Sequence, residues 1–582
     1  MKSKIASFFN ALFIDFRHFK SVSKIEKVVE KMNHSEKILF FASSIILCIT
    51  SILLLVRVHN SLLVEVPSYG GSFTEGLVGS PRFINPVLAI SDTDKDLSSL
   101  IYSGLIRQKV DGNFEGDIAE SFSVSEDGLV YDFVIKENVY FHDNKPVTAD
   151  DVIFTIQRIV DGVVKSPKHA IFEGVSVEKI SQKQVRFSLK KPYAPFLTAL
   201  SVGILPKHIW ENASSEEFPF SEFNIDPVGS GPYKIDKISR NSGGIPTLLT
   251  LESWKRYPLG RPKIKSITFR FYPNSAELLK ALKEGSVDSV SGFDPKVVRE
   301  MGIEDDSKVE ASLPRVFGVF LNQNLAPVFL NTEVRYALES ATPKKRIVDE
   351  VLFGFGNMLN GPTPTNIEGE AGEEALKIEE AKASLSKAGW TEKEDGTLQK
   401  KTKSGTVELA FSLSTSDAPE LKKTAEILKE AWGKLGAKVD IKIFEASDLS
   451  QNIIRGRKYD ALLFGEVVGS DSDLYPFWHS RERNDPGLNI SLYTNITVDK
   501  LLEETQKEPL REVREAKKEK IISEIKKDMP AIFLFSPQFI YIPPKNVKNI
   551  TLKNISYQNE RFLSIKDWYI ETDRVWKIFA TN

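Results

Sequence analysis

Hydrophobic positions along this chain fall into three regimes. Near the start, residues 38–56 ("ILFFASSIILCITSILLLV") run for 19 positions without a charge. That is about the length an α-helix needs to cross a ~30 Å hydrocarbon core. From 72 to about 190, apolar and polar residues alternate in short stretches broken by turn residues, which is the period of strands. "SFSV" and "LVYDFVI" flank the turn "SEDG" at 125–128 and predict a hairpin with Tyr131, Phe133 and Ile135 on one face. Residues 177–190 predict a second hairpin turning at "SQKQ", and "KKPYAPFLTALS" predicts a helix after its proline. Past residue 400 the rhythm changes. A strand "VELAFSL" (407–413) leads into a helix over 419–435, with Ala425, Leu428, Trp432 and Leu435 on one face and Gly436 as its stop. Then come a strand at 438–444, a short helix at 449–454, a strand at 459–466, a charged helix at 509–527 and an apolar strand "AIFLF" at 531–535. Strands alternating with helices predict a βαβ-type lobe.

One stretch, "FHDNKPVTADDVIFTIQRIVDG" (141–162), concentrates one histidine and four aspartates. It reads as a metal or acid–base site, or as a helix start. Thr148 as N-cap puts Asp151 at N3, where a short acid closes a capping box, and puts Val147 and Val152 where a hydrophobic staple forms. Asp150 and Asp151 then complement the helix dipole. Asn144 suits the left-handed position of the preceding turn. Only His142 and Asp143 are left over as metal ligands, and two adjacent side chains rarely share an ion. The helix-start reading is preferred.

Charge changes the picture mainly at the N-terminus. Residues 1–37 hold eight Lys/Arg against four acids, and after the apolar run only Arg57 is basic before Arg82. The positive-inside rule places 1–37 in the cytoplasm as a leader, 38–56 across the membrane and the rest outside. Within the leader, Ile5, Phe8, Phe9, Leu12, Phe13, Phe16 and Phe19 form an apolar stripe suited to a membrane interface. A cleaved signal peptide is the rival reading, but no small-residue cleavage site follows closely. Leu47 before Cys48 does not suit lipid attachment, so an uncleaved anchor is preferred. Without residues 1–57 (nine basic, four acidic) there remain 68 basic and 75 acidic residues, about −7, which gives nucleic acid no purchase as a partner. One cysteine excludes a disulfide framework and a cysteine zinc cage. No HExxH, GxSxG, Walker A or CxxC motif occurs. Neither a cofactor nor a metal is expected.

The stretch 141–159 resembles the signature F-x-D-G-x-P-x-T-A-x-D-V of the family 5 extracellular solute-binding proteins, the dipeptide/oligopeptide/nickel-binding class serving ABC importers. Asn144 stands where the family usually has glycine. In chain order, "RFINP", "GNFEGDIAESFSVSEDGLVYDFVIKENVYF", "DPVGSGPY" (226–233), "VFLNQNLAPVFLNTEVRYALESATPKKRIVDEVLFG", "EEAKASLSKAGW" and "RKYDALLFGE" resemble further family blocks. Each block is weak alone; together, in order, they are specific. The resemblance implies an α/β fold of two hinged lobes of the type II periplasmic-binding-protein kind, with an extra subdomain in lobe I. Its implied limits are a linker at 57–70, lobe I at 71–312, lobe II at 313–536 and a return to lobe I at 537–582. It also implies a peptide or small polar solute as ligand, ABC permease and ATPase partners, and a monomeric ectodomain.

For the site, the resemblance places Gly79, Ser80 and Pro81 at the cleft of lobe I. In lobe II it implies an edge strand G-W-x-x-D that pairs with a peptide, its aspartate meeting the peptide ammonium. Here Gly465 is kept, Glu466 replaces the tryptophan, Val467 follows, and the acid falls out of register at Asp471 or Asp473. Leu463 stands where some members carry a carboxylate-binding arginine. Trp478 is a candidate platform or a core residue, and Asn322 a ligand donor or a turn cap. A hydrolase using cleft carboxylates and a ligand-gated sensor or scaffold are the alternative functions.

Overall fold

The computed structural model describes residues 27–580 except 194–195, 293–294, 303–307, 370–373, 403–404, 470–472, 509 and 553–554. The apolar stripe of the leader therefore lies outside the described residues. Two units are present, one comprising residues up to Ser68 together with those from Thr572 onward, the other Tyr69–Glu571.

In the first unit, helix His34–Leu62 extends the apolar run at both ends, and none of its residues is buried. It is long and apolar enough to cross a membrane. Asn33 and Glu36 close a capping box at its start, with bonds of 2.8 and 2.9 Å. The stretch 57–70 thus contains the end of this helix and a strand, Leu63–Pro67, which pairs antiparallel with Thr572–Trp576. Residues 572–576 accordingly pair here, with the segment just after the helix.

The second unit is built on one mixed sheet. Strand Gly70–Val78 runs parallel to Ile264–Tyr272 and to Ser289–Ser291, and Pro246–Ser253 and Tyr233–Arg240 extend that half. In the other half Arg315–Leu321 lies between Ala461–Val467 and Ala531–Ile542, and Ala410–Ser416 joins Ala461–Val467 to Lys438–Phe444. A separate four-stranded antiparallel sheet, with Ala119–Val124 at its edge and Val130–Ile135 inside it, carries the two predicted hairpins. Tyr131, Phe133 and Ile135 point into the same core as Phe73, Leu77 and Phe269. The half around Arg315–Leu321 has its own core on both sheet faces.

Two chain crossings join these halves. Strand Ala531–Ile542 is far longer than the apolar run 531–535. Its first part pairs with Arg315–Leu321, its second with Val309–Ser312 and Ser289–Ser291. Pro537 falls where the strand changes partner, a position that tolerates a missing N–H. Beside it the chain crosses again at 312–315, and the two are tied by Leu313 N–H to Pro537 carbonyl (3.2 Å) and Ser536 hydroxyl to Leu313 carbonyl (2.8 Å).

A buried charge cluster locks the first half. The Arg561 guanidinium donates to Glu75 Oε1 (2.6 Å) and to both oxygens of Asp96 (2.7 and 2.8 Å), and all three side chains are fully buried. Tyr541 and Ser289 hydroxyls complete Glu75 at 3.2 Å each. Burial pushes the Asp96 carboxyl up to about 6 against the pull of Arg561.

The acid-rich stretch is a helix start. Thr148 N–H and hydroxyl both donate to Asp151 Oδ2 at 2.8 Å, and Asp151 Oδ1 accepts the Lys207 N–H at 2.8 Å. Val147 and Val152 are fully buried beside it. His142 bridges the backbone at 229–231, with Nε2 3.1 Å from the Gly231 carbonyl, and burial lowers its pKa to about 4. Asp143 pairs with His208 at 2.7 Å. Removing the Thr148 cap by T148A is expected to lower stability by about 1 kcal/mol. Asp151→Ala is expected to lower it more, by about 1–3 kcal/mol, because the Lys207 and Thr148 N–H groups lose their acceptor. Urea unfolding of both variants checks the order; an equal or reversed loss counts against this account.

Candidate functional site

Each half of the second unit offers one rim. In the first, strand Gly70–Val78 ends at Gly79, whose φ of +82° favours glycine although nothing would crowd a side chain there. The Thr93 hydroxyl holds the Val78 carbonyl at 3.1 Å, Ser80 donates to the Pro246 carbonyl at 3.0 Å, and Pro81 is buried. Gly79 is thus exposed backbone on a turn fixed from both sides.

In the second, strand Ala461–Val467 is paired with Arg315–Leu321 along its full length. On its other side the ladder to Ala410–Ser416 stops after Ala461 and Leu462. Among the described residues no strand covers that edge further on. Successive residues of a strand turn their N–H and C=O to opposite edges. Val468 N–H donates to the Pro314 carbonyl (2.9 Å) on the covered side, and the Leu463 carbonyl accepts the Thr415 hydroxyl (3.0 Å) on the other. Gly465 and Val467 therefore present their N–H and C=O groups to the open edge, and the Val467 side chain is 55 % exposed. Gly465 has a packing reason as well: a Cβ there would stand 2.5 Å from the Phe317 ring, which stacks on Phe535 at 4.9 Å beside the crossings.

Glu466 points to the opposite face. It is buried, and burial holds its carboxyl well above the usual carboxylate range, with the Arg457 guanidinium acting in the opposite sense. Arg457 itself is spent on the carbonyls of Ile454, Arg483 and Gly487 at 2.7–2.9 Å. A carboxyl with a raised folded pKa adds stability that is complete below its unfolded pKa of ~4.3 and is lost as pH rises through the folded value. E466Q removes that titration. Its stability relative to the parent protein is therefore expected to rise as pH increases above ~4.5. Thermal melts across that range check this; a pH-independent difference would reject it.

The other sequence candidates scatter. Asn322 is fully buried and caps a turn: its Nδ2 donates to the Arg457 carbonyl (3.1 Å) and its Oδ1 accepts from the Asn324 and Leu325 N–H groups. Trp478 is 1 % exposed, packed against Phe320, Tyr493 and Phe533, so its ring has no open face for a ligand. Asp473 accepts the Tyr475 N–H at 3.1 Å at the start of helix Tyr475–Trp478. Asp471 lies outside the described residues. Phe317 and the exposed Arg315, in register with Gly465 and Val467, belong to the aromatic-rich stretch 315–324 that the resemblance sets at the crossing between the lobes, without naming either residue. Only strand register brings them there.

Comparison with known proteins agrees with this architecture. The family model described as bacterial extracellular solute-binding proteins, family 5 Middle, matches residues 113–485. The chain is 29% identical over 520 residues to the oligopeptide-binding protein AppA of Bacillus subtilis (strain 168), covering 87% of this chain and 92% of that one. It is 27% identical over 398 residues to a dipeptide-binding protein of Escherichia coli (strain K12), covering 63% and 70%. The solved structure of Bacillus subtilis AppA in complex with a nonapeptide superposes with a TM-score of 0.60 at 28% identity, covering 87% of this chain and 100% of that one. The unliganded open form of the murein tripeptide binding protein MppA gives 0.73 at 17% identity, covering 88% and 99%, a likeness of fold alone. With two hinge-joined halves, a family model over more than half its length and a relative covered almost end to end, the chain belongs to the family 5 bacterial extracellular solute-binding proteins.

Proposed function

We propose that this chain is the capture subunit of an ABC importer, that its ligands are peptides, and that helix His34–Leu62 holds it at the outer face of the cell membrane. The open edge of Ala461–Val467 carries the peptide reading. Gly465 and Val467 offer two N–H and two C=O groups to an extended backbone, which is recognition by strand addition. AppA, which bears the name oligopeptide-binding and was solved with a nonapeptide, supports the same ligand class. Gly79 and Ser80 supply the facing rim in this reading, and the exposed Val467 side chain shapes the surface beside the edge, while Glu466 is buried on the opposite face of the strand.

Function is then mechanical. The paired crossings at 312–315 and 535–538 act as the hinge, and a ligand touching both lobes favours closure only by its differential affinity for the closed state. The permease reads the closed form, and this subunit breaks no bond. For the peptide ammonium we assign Asp471, with Asp473 as the register alternative, because an ammonium buried on closure needs a carboxylate. D471A is expected to weaken binding at least about tenfold, and an N-acetylated peptide to bind the parent poorly. Calorimetry on D471A and D473A that finds neither weakened rejects the ammonium anchor.

Native mass spectrometry of the purified full chain tests the main reading. Intact peptides that co-purify and exchange with an added oligopeptide mixture are expected. Cleaved peptides would favour the hydrolase. Deleting residues 1–57 is expected to release a soluble, folded monomer, and aggregation of that variant under mild conditions would count against the anchor.

A further inference from the structure

The segment after the ectodomain ends beside the apolar helix, and its side chains there are unusual for a surface. Strand Leu63–Pro67 leads away from the helix, so its antiparallel partner Thr572–Trp576 runs back toward it, with Trp576 opposite Leu63. The Trp576 indole reaches one turn further: its Nε1 donates to His59 Nδ1 at 3.0 Å, with the rings 5.7 Å apart. A turn, Lys577–Phe579, follows. Ile578 and Phe579 are 77 % and 72 % exposed, and a mostly apolar groove lined by His59, Leu63, Arg574, Val575, Trp576 and Phe579 lies between strand and helix.

Helix rise sets the depth of these groups. The uncharged run 38–56 spans ~28 Å at 1.5 Å per residue, close to a ~30 Å hydrocarbon core. Arg57 then marks the boundary, and His59 stands ~3 Å further along the axis, within the headgroup layer. Trp576 is held to His59 and so occupies the depth at which tryptophan is enriched in membrane proteins. Lys577 adds the basic group that suits the headgroups, and Glu65 pairs with Arg574 at 3.5 Å so that acid is partly neutralised. An exposed Trp/Ile/Phe set continuous with a membrane-spanning helix has the lipid interface as its natural cover.

We propose that residues 576–579 form a second membrane contact, with Trp576, Ile578 and Phe579 seated in the outer-leaflet interface beside helix His34–Leu62. This inference rests on the anchor reading above. Its occupant is the headgroup–acyl boundary of the bilayer.

The test uses the full chain in vesicles of phosphatidylethanolamine and phosphatidylglycerol. In a C48S background a nitroxide is attached at Ile578→Cys, at Phe579→Cys in a second variant, and at Leu47→Cys, the midpoint of the run 38–56, as the anchor control. Collision with oxygen and with a water-soluble nickel chelate reports depth. The Leu47 label is expected deep in the bilayer. The 578 and 579 labels are expected at shallower depth, with an oxygen-to-nickel ratio above that of a water-exposed label. W576D is expected to shift the 578 label back to the aqueous ratio. A deep Leu47 label with aqueous ratios at both 578 and 579 overturns the proposal while leaving the anchor standing. Low access to both reagents at 578 and 579 also overturns it, because a protein surface then covers the patch. An aqueous ratio at Leu47 overturns the anchor reading and this inference with it.

Discussion

Arg561→Met is expected to lower the unfolding free energy by about 3–5 kcal/mol, the range for removing one partner from a buried ion cluster. The size follows from what is left behind. Glu75 and Asp96 are fully buried, and Arg561 is the cation that contacts both, at 2.6 and 2.7 Å. Methionine fills similar volume but leaves two carboxylates without a counter-charge, each needing to stay desolvated or take up a proton. The deficit should therefore shrink as pH falls toward about 6, the value to which burial already pushes Asp96 with arginine present, because without arginine its carboxyl takes up a proton at higher pH still. Urea unfolding at pH 7.5 and pH 5 reads both effects. A loss below about 1 kcal/mol, or one equal at both pH values, would show that the cluster does not lock the first half.

Val467→Pro is expected to weaken peptide binding at least about tenfold, equivalent to ~1.4 kcal/mol. Proline removes the N–H that Val467 turns to the open edge, and its ring stands where an added strand would approach. The pairing with Arg315–Leu321 survives, because the bonds of Val467 point away from that side, and edge positions tolerate proline. Val467→Ala keeps the backbone donor and is expected to stay within about twofold, since strand addition draws its affinity from the main chain. Calorimetry with one oligopeptide on both variants separates the two. Unchanged affinity in V467P would remove the edge strand from the binding site, and an equal loss in V467A would move recognition to the side chain.

Several parts of this molecule are legible from short windows. Helix Pro419–Leu435 and its left-handed stop at Gly436 follow from apolar spacing and one glycine. Strand Lys438–Phe444 follows from alternation, and the start of helix Ala149–Val160 from four residues around Thr148. These signals act between residues a few positions apart, so no knowledge of the rest of the chain is needed. The family blocks extended that reach, since the order of many weak motifs specifies a two-lobed fold that no single window does.

Tertiary structure decided everything that depends on which distant segments meet. Glu75 and Arg561 are separated by 486 positions, and no residue near either in sequence marks the other as its partner. The strand at 531 stops at Phe535 by its apolar run but continues to Ile542, because Val309–Ser312 and Ser289–Ser291 supply partners beyond Pro537. Trp478 resolves into a core ring through Phe533, remote in sequence, and Asn322, a turn cap through its local bonds, is fixed and buried by the distant Arg457 carbonyl. The open edge at Gly465 and Val467 exists only because the neighbouring ladder ends at Leu462. By itself the sequence determined local conformation, the apolar span and the family; register, burial and charge pairing were left to the tertiary structure, because their energies arise only when separate segments share a desolvated space.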